Sequence, residues 1–183
     1  MFLHFLWGKV GRCGDFYVSL TPNSFIRYVR MRFIGTIEAK TDAKGRVFLP
    51  ASFRKMIQSS GEEQLVLRKD VFQECLVLYP ESVWNEQMDA LRSRLNRWNP
   101  QHQQVFRQFV SDAEVVTLDS NGRFLLPKRF VRALALDQDV RFVGMGDTIE
   151  VWNNRQADQV RMDAEHFGQV LADVMGNNAT ENI

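Results

Sequence analysis

The chain has 183 residues, is 45% hydrophobic and 25% charged, and carries a formal net charge of +1. These are the values of an ordinary globular protein; they exclude a uniformly basic nucleic-acid binder but leave room for a local cationic patch. Two cysteines, Cys13 and Cys75, provide neither a disulfide framework nor a metal-ligand spacing, and no apolar run approaches the roughly 18 residues of a membrane-spanning helix.

Residues 1–30 show no sustained period and are expected to be an N-terminal extension, poorly ordered or translated from a start upstream of Met31. Arg32 to Thr41 alternates, with Phe33, Gly35, Ile37 and Ala39 on one face, and reads as a strand. Asp42-Ala-Lys-Gly45 is a turn in which Gly45 supplies a positive φ. Val47 to Leu49 is a short strand, and Pro50 suits the first position of a helix that buries Phe53 and Ile57 and stops at Gly61. Leu65–Lys69 and Gln73–Tyr79 pair as a hairpin.

Ser82 is expected to cap a longer helix whose stripe Trp84, Met88, Leu91, Leu95 and Trp98 packs on the core. Asn99-Pro100 starts another helix, with Val105, Phe106, Phe109 and Val110 as its apolar face. The strand pattern then returns in Glu114–Leu118, Arg123–Leu126, Val140–Val143 and Thr148–Trp152, with Pro127 opening a second short helix. A last helix carries Val160, Ala164, Phe167, Leu171 and Val174 in one stripe, a candidate contact between subunits, before a polar tail from Gly176.

The second half of this order repeats the first. Asp42-Ala-Lys-Gly-Arg46-Val-Phe-Leu-Pro50-Ala-Ser-Phe53 recurs 77 residues on as Asp119-Ser-Asn-Gly-Arg123-Phe-Leu-Leu-Pro127-Lys-Arg-Phe130. A duplication of this kind implies two similar units about an approximate two-fold axis. Each Asp heads a turn and accepts backbone N–H groups. Arg46 and Arg123 can neutralise their own Asp or point outward to phosphates and base edges, and both readings stay open. Cations gather around the two copies: Arg32, Lys40, Lys44, Arg46, Arg54 and Lys55 at the first, and Arg123, Lys128, Arg129 and Arg132 at the second. Acids collect instead in 62–63, 81–89 and 158–181. A near-neutral total with a concentrated positive face is the distribution that tracks phosphates.

The doubled D-x-x-G-R-x-x-L-P-x-x-F motif, followed in each copy by strands that end in an aromatic (Tyr79, Trp152), resembles the MraZ family across about residues 32–155. Each half resembles a SpoVT-AbrB domain. The resemblance implies a mixed β fold with helices, a duplicated swapped-hairpin β-barrel plus packing helices. It divides the chain into a 1–30 extension, domain 1 at 36–83, connecting helices at 84–111, domain 2 at 112–155 and a C-terminal helix and tail at 156–183. It further implies a cytoplasmic, nucleoid-associated transcriptional regulator, usually a repressor, of the division and cell-wall operon. Its partners would be double-stranded DNA with tandem promoter repeats and other copies of itself in a ring.

On that reading Lys40, Lys44, Lys128 and Arg129 contact phosphates and Arg46 and Arg123 contact base edges. Asn121 takes part where the first copy has Lys44, so the two loops are not equivalent. Asp42, Gly45, Asp119 and Gly122 are structural turn residues. No metal or cofactor is expected. An enzyme is not expected either: His4, His102 and His166 are scattered, and no nucleophile motif, P-loop or dinucleotide fingerprint occurs. The alternatives are an antitoxin-like interaction protein and a ring-forming scaffold with no DNA role.

Overall fold

The computed structural model describes residues 32–159 and 161–177. The expected extension 1–30, Met31, Val160 of the last stripe and the tail 178–183 lie outside the described residues. In chain order the elements are β1 Thr36–Lys40, β2 Arg46–Phe48, α1 Ala51–Ser60, β3 Gln64–Lys69, β4 Leu76–Pro80, α2 Glu81–Arg94, α3 Pro100–Ser111, β5 Ala113–Thr117, β6 Arg123–Leu125, α4 Lys128–Ala133, β7 Asp139–Gly144, β8 Ile149–Asn153 and α5 Ala164–Asn177.

Local chemistry accounts for most boundaries. Pro50 and Pro127 sit at the N-caps of α1 and α4 with φ of −50° and −58°, and each is followed by a first turn that needs no N–H from them. Asn99 caps α3 by accepting the amides of Gln101 and His102. The expected cap at Ser82 is not one: Pro80 holds the cap position of α2, and the Ser82 hydroxyl instead donates to Glu62. β4 begins at Leu76 rather than Gln73, because Asp70 Oδ1 accepts the amides of Phe72 and Gln73 and bends the chain there.

The strands form a six-stranded antiparallel sheet in the order β1-β7-β8-β4-β3-β5 and a separate two-stranded ribbon, β2-β6. Each half lends its first strand to the other half's hairpin. β1 pairs with β7, Ile37 opposite Phe142, and β5 pairs with β3, Leu65 opposite Val116. The two hairpins meet along β4 and β8, with Leu76 opposite Val151. Both edges of each hairpin are thereby paired, which leaves only β1 and β5 as edges of the large sheet. The expected closed barrel is not found among the described residues. The large sheet is open, with β1 and β5 as its edges, and an isolated Thr41–Val47 bridge joins the chain between β1 and β2 to the ribbon.

One core lies between the sheet, the ribbon and the short helices, and both halves fill it. Phe33, Phe53, Leu65 and Leu67 come from the first; Phe124, Phe130, Val140 and Phe142 from the second. The Phe33 and Phe53 rings meet edge-on at 5.5 Å, as do Phe124 and Phe142 at 6.4 Å. A smaller cluster under α2 and α3 gathers Val66, Cys75, Val77, Tyr79, Trp84 and Trp152. β3 and β4 are therefore buried on both faces, and they read as apolar runs rather than alternating strands. Gly144 leaves room for backbone of the other half: a Cβ there would lie 2.4 Å from the Phe33 carbonyl carbon.

The two helical stripes fare differently. Of the α2 stripe only Trp84 is buried; Met88, Leu91 and Leu95 are half-buried, and because the helix stops at Arg94 with Leu95 extended, Trp98 falls off the stripe and is exposed. Trp84 stacks on Phe109 of α3 with centroids 5.1 Å apart. On α5, Phe167, Leu171 and Val174 are exposed.

Candidate nucleic-acid interface

The duplicated corners are built from the same bonds. In the first, the Asp42 amide donates to the Arg46 carbonyl at 2.8 Å and the Gly45 amide donates to the Asp42 carbonyl at 2.9 Å. Asp42 Oδ1 accepts the amides of Lys44 and Arg46, each at 2.9 Å. Its Oδ2 accepts Arg46 Nε at 2.8 Å and lies 2.7 Å from Nη2. The second corner repeats this. Asp119 Oδ1 accepts the amides of Asn121 and Arg123 at 2.9 Å, and Oδ2 meets Arg123 Nε at 2.9 Å and Nη2 at 2.8 Å. Gly45 and Gly122 adopt φ of 77° and 79°, which a residue with a Cβ resists.

The ribbon brings the corners together. Arg46 lies opposite Leu125, Val47 opposite Phe124, and Phe48 opposite Arg123. The Leu49 amide donates to the Gly122 carbonyl and the Leu126 amide to the Gly45 carbonyl, both at 3.0 Å, so each corner is tied to the other strand. Side chains alternate across a strand. Val47 and Phe124 therefore enter the core, and Arg46, Phe48, Arg123 and Leu125 share the outer face. On that face Phe48 and Leu125 are 52% and 56% exposed, while the arginine side chains are 31% and 19% exposed. Arg123 lies over the Phe48 ring at 5.5 Å and reaches Asp42 Oδ2 at 4.0 Å.

Each arginine thus pairs with its own Asp and also faces outward. The carboxylate engages Nε and Nη2 of Arg46, which leaves Nη1 without a partner among the described residues. A guanidinium held on one edge in this way presents its other edge with little freedom left to lose.

Of the other expected contact residues, Lys44, Asn121 and Lys128 are exposed, and Lys44 and Lys128 have no ion-pair partner among the described residues. Lys40 on β1 is paired with Asp139 at 3.4 Å. Arg129 is committed elsewhere: Nε donates to Glu114 at 3.0 Å, Nη2 donates to the Ala113 carbonyl at 3.2 Å, and the guanidinium lies over Phe130.

The pairing moves both acids. The Asp42 carboxyl is held down at about 2, first by the Arg46 guanidinium and then by the amides of Arg46 and Lys44. Asp119 is also lowered, chiefly by the Arg123 amide and guanidinium. A carboxylate lowered on folding stabilises the native state above its unfolded value near 4, and loses that contribution as pH falls through the folded value. The Asp42 carboxylate should therefore stay ionised and paired from neutral pH down past about 4, and the pair should open only as pH falls through about 2. A carboxyl NMR titration with an Asp42 midpoint near 4 would show that the pair does not persist in solution.

Two features escape a reading of the motif alone. Phe48 and Leu125 complete the outer face; the inward position of Val47 and Phe124 is the signal that assigns them to it. Arg54 on α1 crosses between halves: Nη1 donates to the Asn121 carbonyl at 3.2 Å, and a Cβ on Gly122 would lie 2.1 Å from that nitrogen. Its counterpart 77 residues on is Val131, so aligning the two copies exposes the asymmetry.

Known proteins match this sequence along most of its length. The family described as "MraZ protein, putative antitoxin-like" matches residues 32–107 and 109–166. A protein of Phocaeicola vulgatus named transcriptional regulator MraZ is 62% identical over 148 residues, covering 81% of this chain and 96% of its own. One of the same name from Bacteroides fragilis is 55% identical, covering 79% and 92%, and one from Chromobacterium violaceum is 37% identical, covering 74% and 91%. The solution structure of PHS018 from Pyrococcus horikoshii aligns over 66% of this chain and 89% of that one, at 12% identity and a TM-score of 0.27. With the doubled corner, the exchanged strands and relatives of this identity in agreement, the chain belongs to the MraZ family.

Proposed function

We propose that the protein is a transcriptional regulator, not an enzyme, that binds double-stranded DNA in a sequence-specific manner with the outer face of the β2–β6 ribbon. The observation that carries this reading is the pair of arginines on one exposed two-stranded ribbon, each buttressed by a carboxylate and flanked by an exposed apolar side chain. A β-ribbon is narrow enough for the major groove, and an arginine fork matches the guanine O6/N7 pair. In this reading Arg46 and Arg123 contact base edges, the Asn121 amide contacts a base or sugar edge, and Lys40, Lys44 and Lys128 contact phosphates. Arg129 reaches a phosphate by releasing Glu114. Asp42, Gly45, Asp119 and Gly122 shape the corners that aim the arginines.

The finer assignments rest on the family. Residues 36–83 and 112–155 act as two SpoVT-AbrB units that exchange their first strands, a reading that the β1–β7 and β3–β5 pairings support. Several chains form a ring on tandem promoter repeats of the division and cell-wall operon, usually repressing it, in the cytoplasm on the nucleoid. Each chain offers few contacts, and multiplying them at fixed spacing raises avidity through effective concentration.

Fluorescence anisotropy on duplexes bearing one repeat or several tests this. Affinity should fall log-linearly with salt, with a slope of about 0.9 per phosphate contacted. The tandem duplex should bind about 100-fold tighter or more than the single repeat. Affinity indifferent to salt and to repeat number would overturn the assignment.

A further inference from the structure

Arg68 is a buried charge with no counter-ion among the described residues. It lies on β3 two residues after Val66, on the face that packs beneath α2 and α3, opposite Val77 and Ala113 in the neighbouring strands. The residue is 6% exposed. Its guanidinium carbon sits 4.2 Å from the centroid of the Phe109 ring, and its Nε is sealed from solvent without a hydrogen-bond partner. No carboxylate among the described residues forms an ion pair with it. Burying a charge in this way is costly unless something pairs with it, and an aromatic face offsets only part of that cost.

The side chain lines a cleft of about 380 Å³ between the β3–β4 turn and α3. Val71, Phe72, Val105 and Phe109 supply its apolar walls, and Val71, Phe72 and Val105 are exposed large side chains in the present structure. The nearby acids are mostly spent. Asp70 Oδ1 accepts the amides of Phe72 and Gln73, and Glu74 pairs with Lys69 at 3.1 Å. The Asp112 carboxylate is unpaired among the described residues. A single negative charge from a ligand would satisfy Arg68, whereas a polyanion would meet Asp112 as a like charge.

We infer that this cleft binds an organic monocarboxylate with an apolar body. The carboxylate meets the Arg68 fork, and the body lies against Phe109, Val105 and Phe72. The same chemistry can come from a free small molecule or from an acidic side chain flanked by apolar residues on another copy of the chain. The site lies on a different element from the arginine ribbon and does not depend on DNA binding.

Phenylacetate added to the full-length protein, followed by NMR shift titration, is the direct probe, with phenethylamine and benzyl alcohol as cationic and neutral controls. Phenylacetate should saturate and the controls should not. Arg68→Met should weaken it roughly tenfold or more, the loss expected for one charged hydrogen-bonding partner. Because a change at a buried position can disturb the cluster, Val105→Glu provides a second arm. This half-exposed wall position would carry its own carboxylate to Arg68 and weaken the probe similarly with an unchanged circular-dichroism spectrum. An apparent Kd that rises with protein concentration assigns the native carboxylate to a second copy; a constant one assigns it to a free molecule. No saturation by phenylacetate, equal binding of phenethylamine, or indifference to both substitutions would overturn the site.

Discussion

Arg46→Ala should lower affinity for the specific duplex by roughly ten- to a hundred-fold per site, since a bidentate arginine–guanine contact contributes about 1–3 kcal/mol. The fold should survive the change. Asp42 keeps the amides of Lys44 and residue 46 on Oδ1, and Val47, not Arg46, enters the core. Arg123→Ala should act in the same direction. It should also release the Phe48 ring and the long contact to Asp42. Arg46→Lys should not restore binding, because an ammonium cannot hold Asp42 and a guanine edge through one planar fork. Losses of specific binding should exceed losses on an unrelated duplex, where phosphate contacts dominate. A titration in which Arg46→Ala binds the specific duplex as tightly as the parent, with an unchanged circular-dichroism spectrum, removes Arg46 from the interface. Equal weakening on both duplexes would make it a phosphate contact instead.

Phe142→Ala should destabilise the protein by about 3–5 kcal/mol, the usual cost of deleting a fully buried aromatic ring. Phe142 is completely buried, its ring faces Phe124, and its strand lies between β1 of the other half and β8. The substitution opens a cavity where the halves meet, so it should weaken both together. Denaturant unfolding of parent and variant should each follow one transition with nearly the same slope, since a shared core leaves neither half a stable unit. Two separated transitions, with only one shifted by Phe142→Ala, would show that the halves fold independently.

Much of the local structure is legible from residue order because it depends on near neighbours. The corners are an example: an Asp, a Gly three residues later and an Arg after it can close the turn, satisfy two amides and pair the charge without any distant partner. The proline starts of α1 and α4 and the Asn99 cap are local in the same sense. The α2 stripe shows the limit. Its spacing continues through Leu95 and Trp98, but the helix ends at Arg94, and periodicity alone does not report where the backbone leaves the helix. Ser82 likewise has the right chemistry for a cap but lies two positions past it, because Pro80 ends the strand and holds the cap position.

What the amino-acid order determined by itself was the duplication, the two glycine corners with their Asp–Arg pairs, and the segments destined for strands and helices. All of these follow from backbone preference and from bonds spanning a few residues. Tertiary structure alone decided that β1 belongs with β7 and β5 with β3, that the sheet stays open, that Arg54 braces the opposite half's corner, and that Arg129 turns to Glu114. An alternating strand buries the same face whichever partner it pairs with. Partner choice is therefore set only when both halves compete to cover one core, and cations far apart in the chain acquire their neighbours at that step.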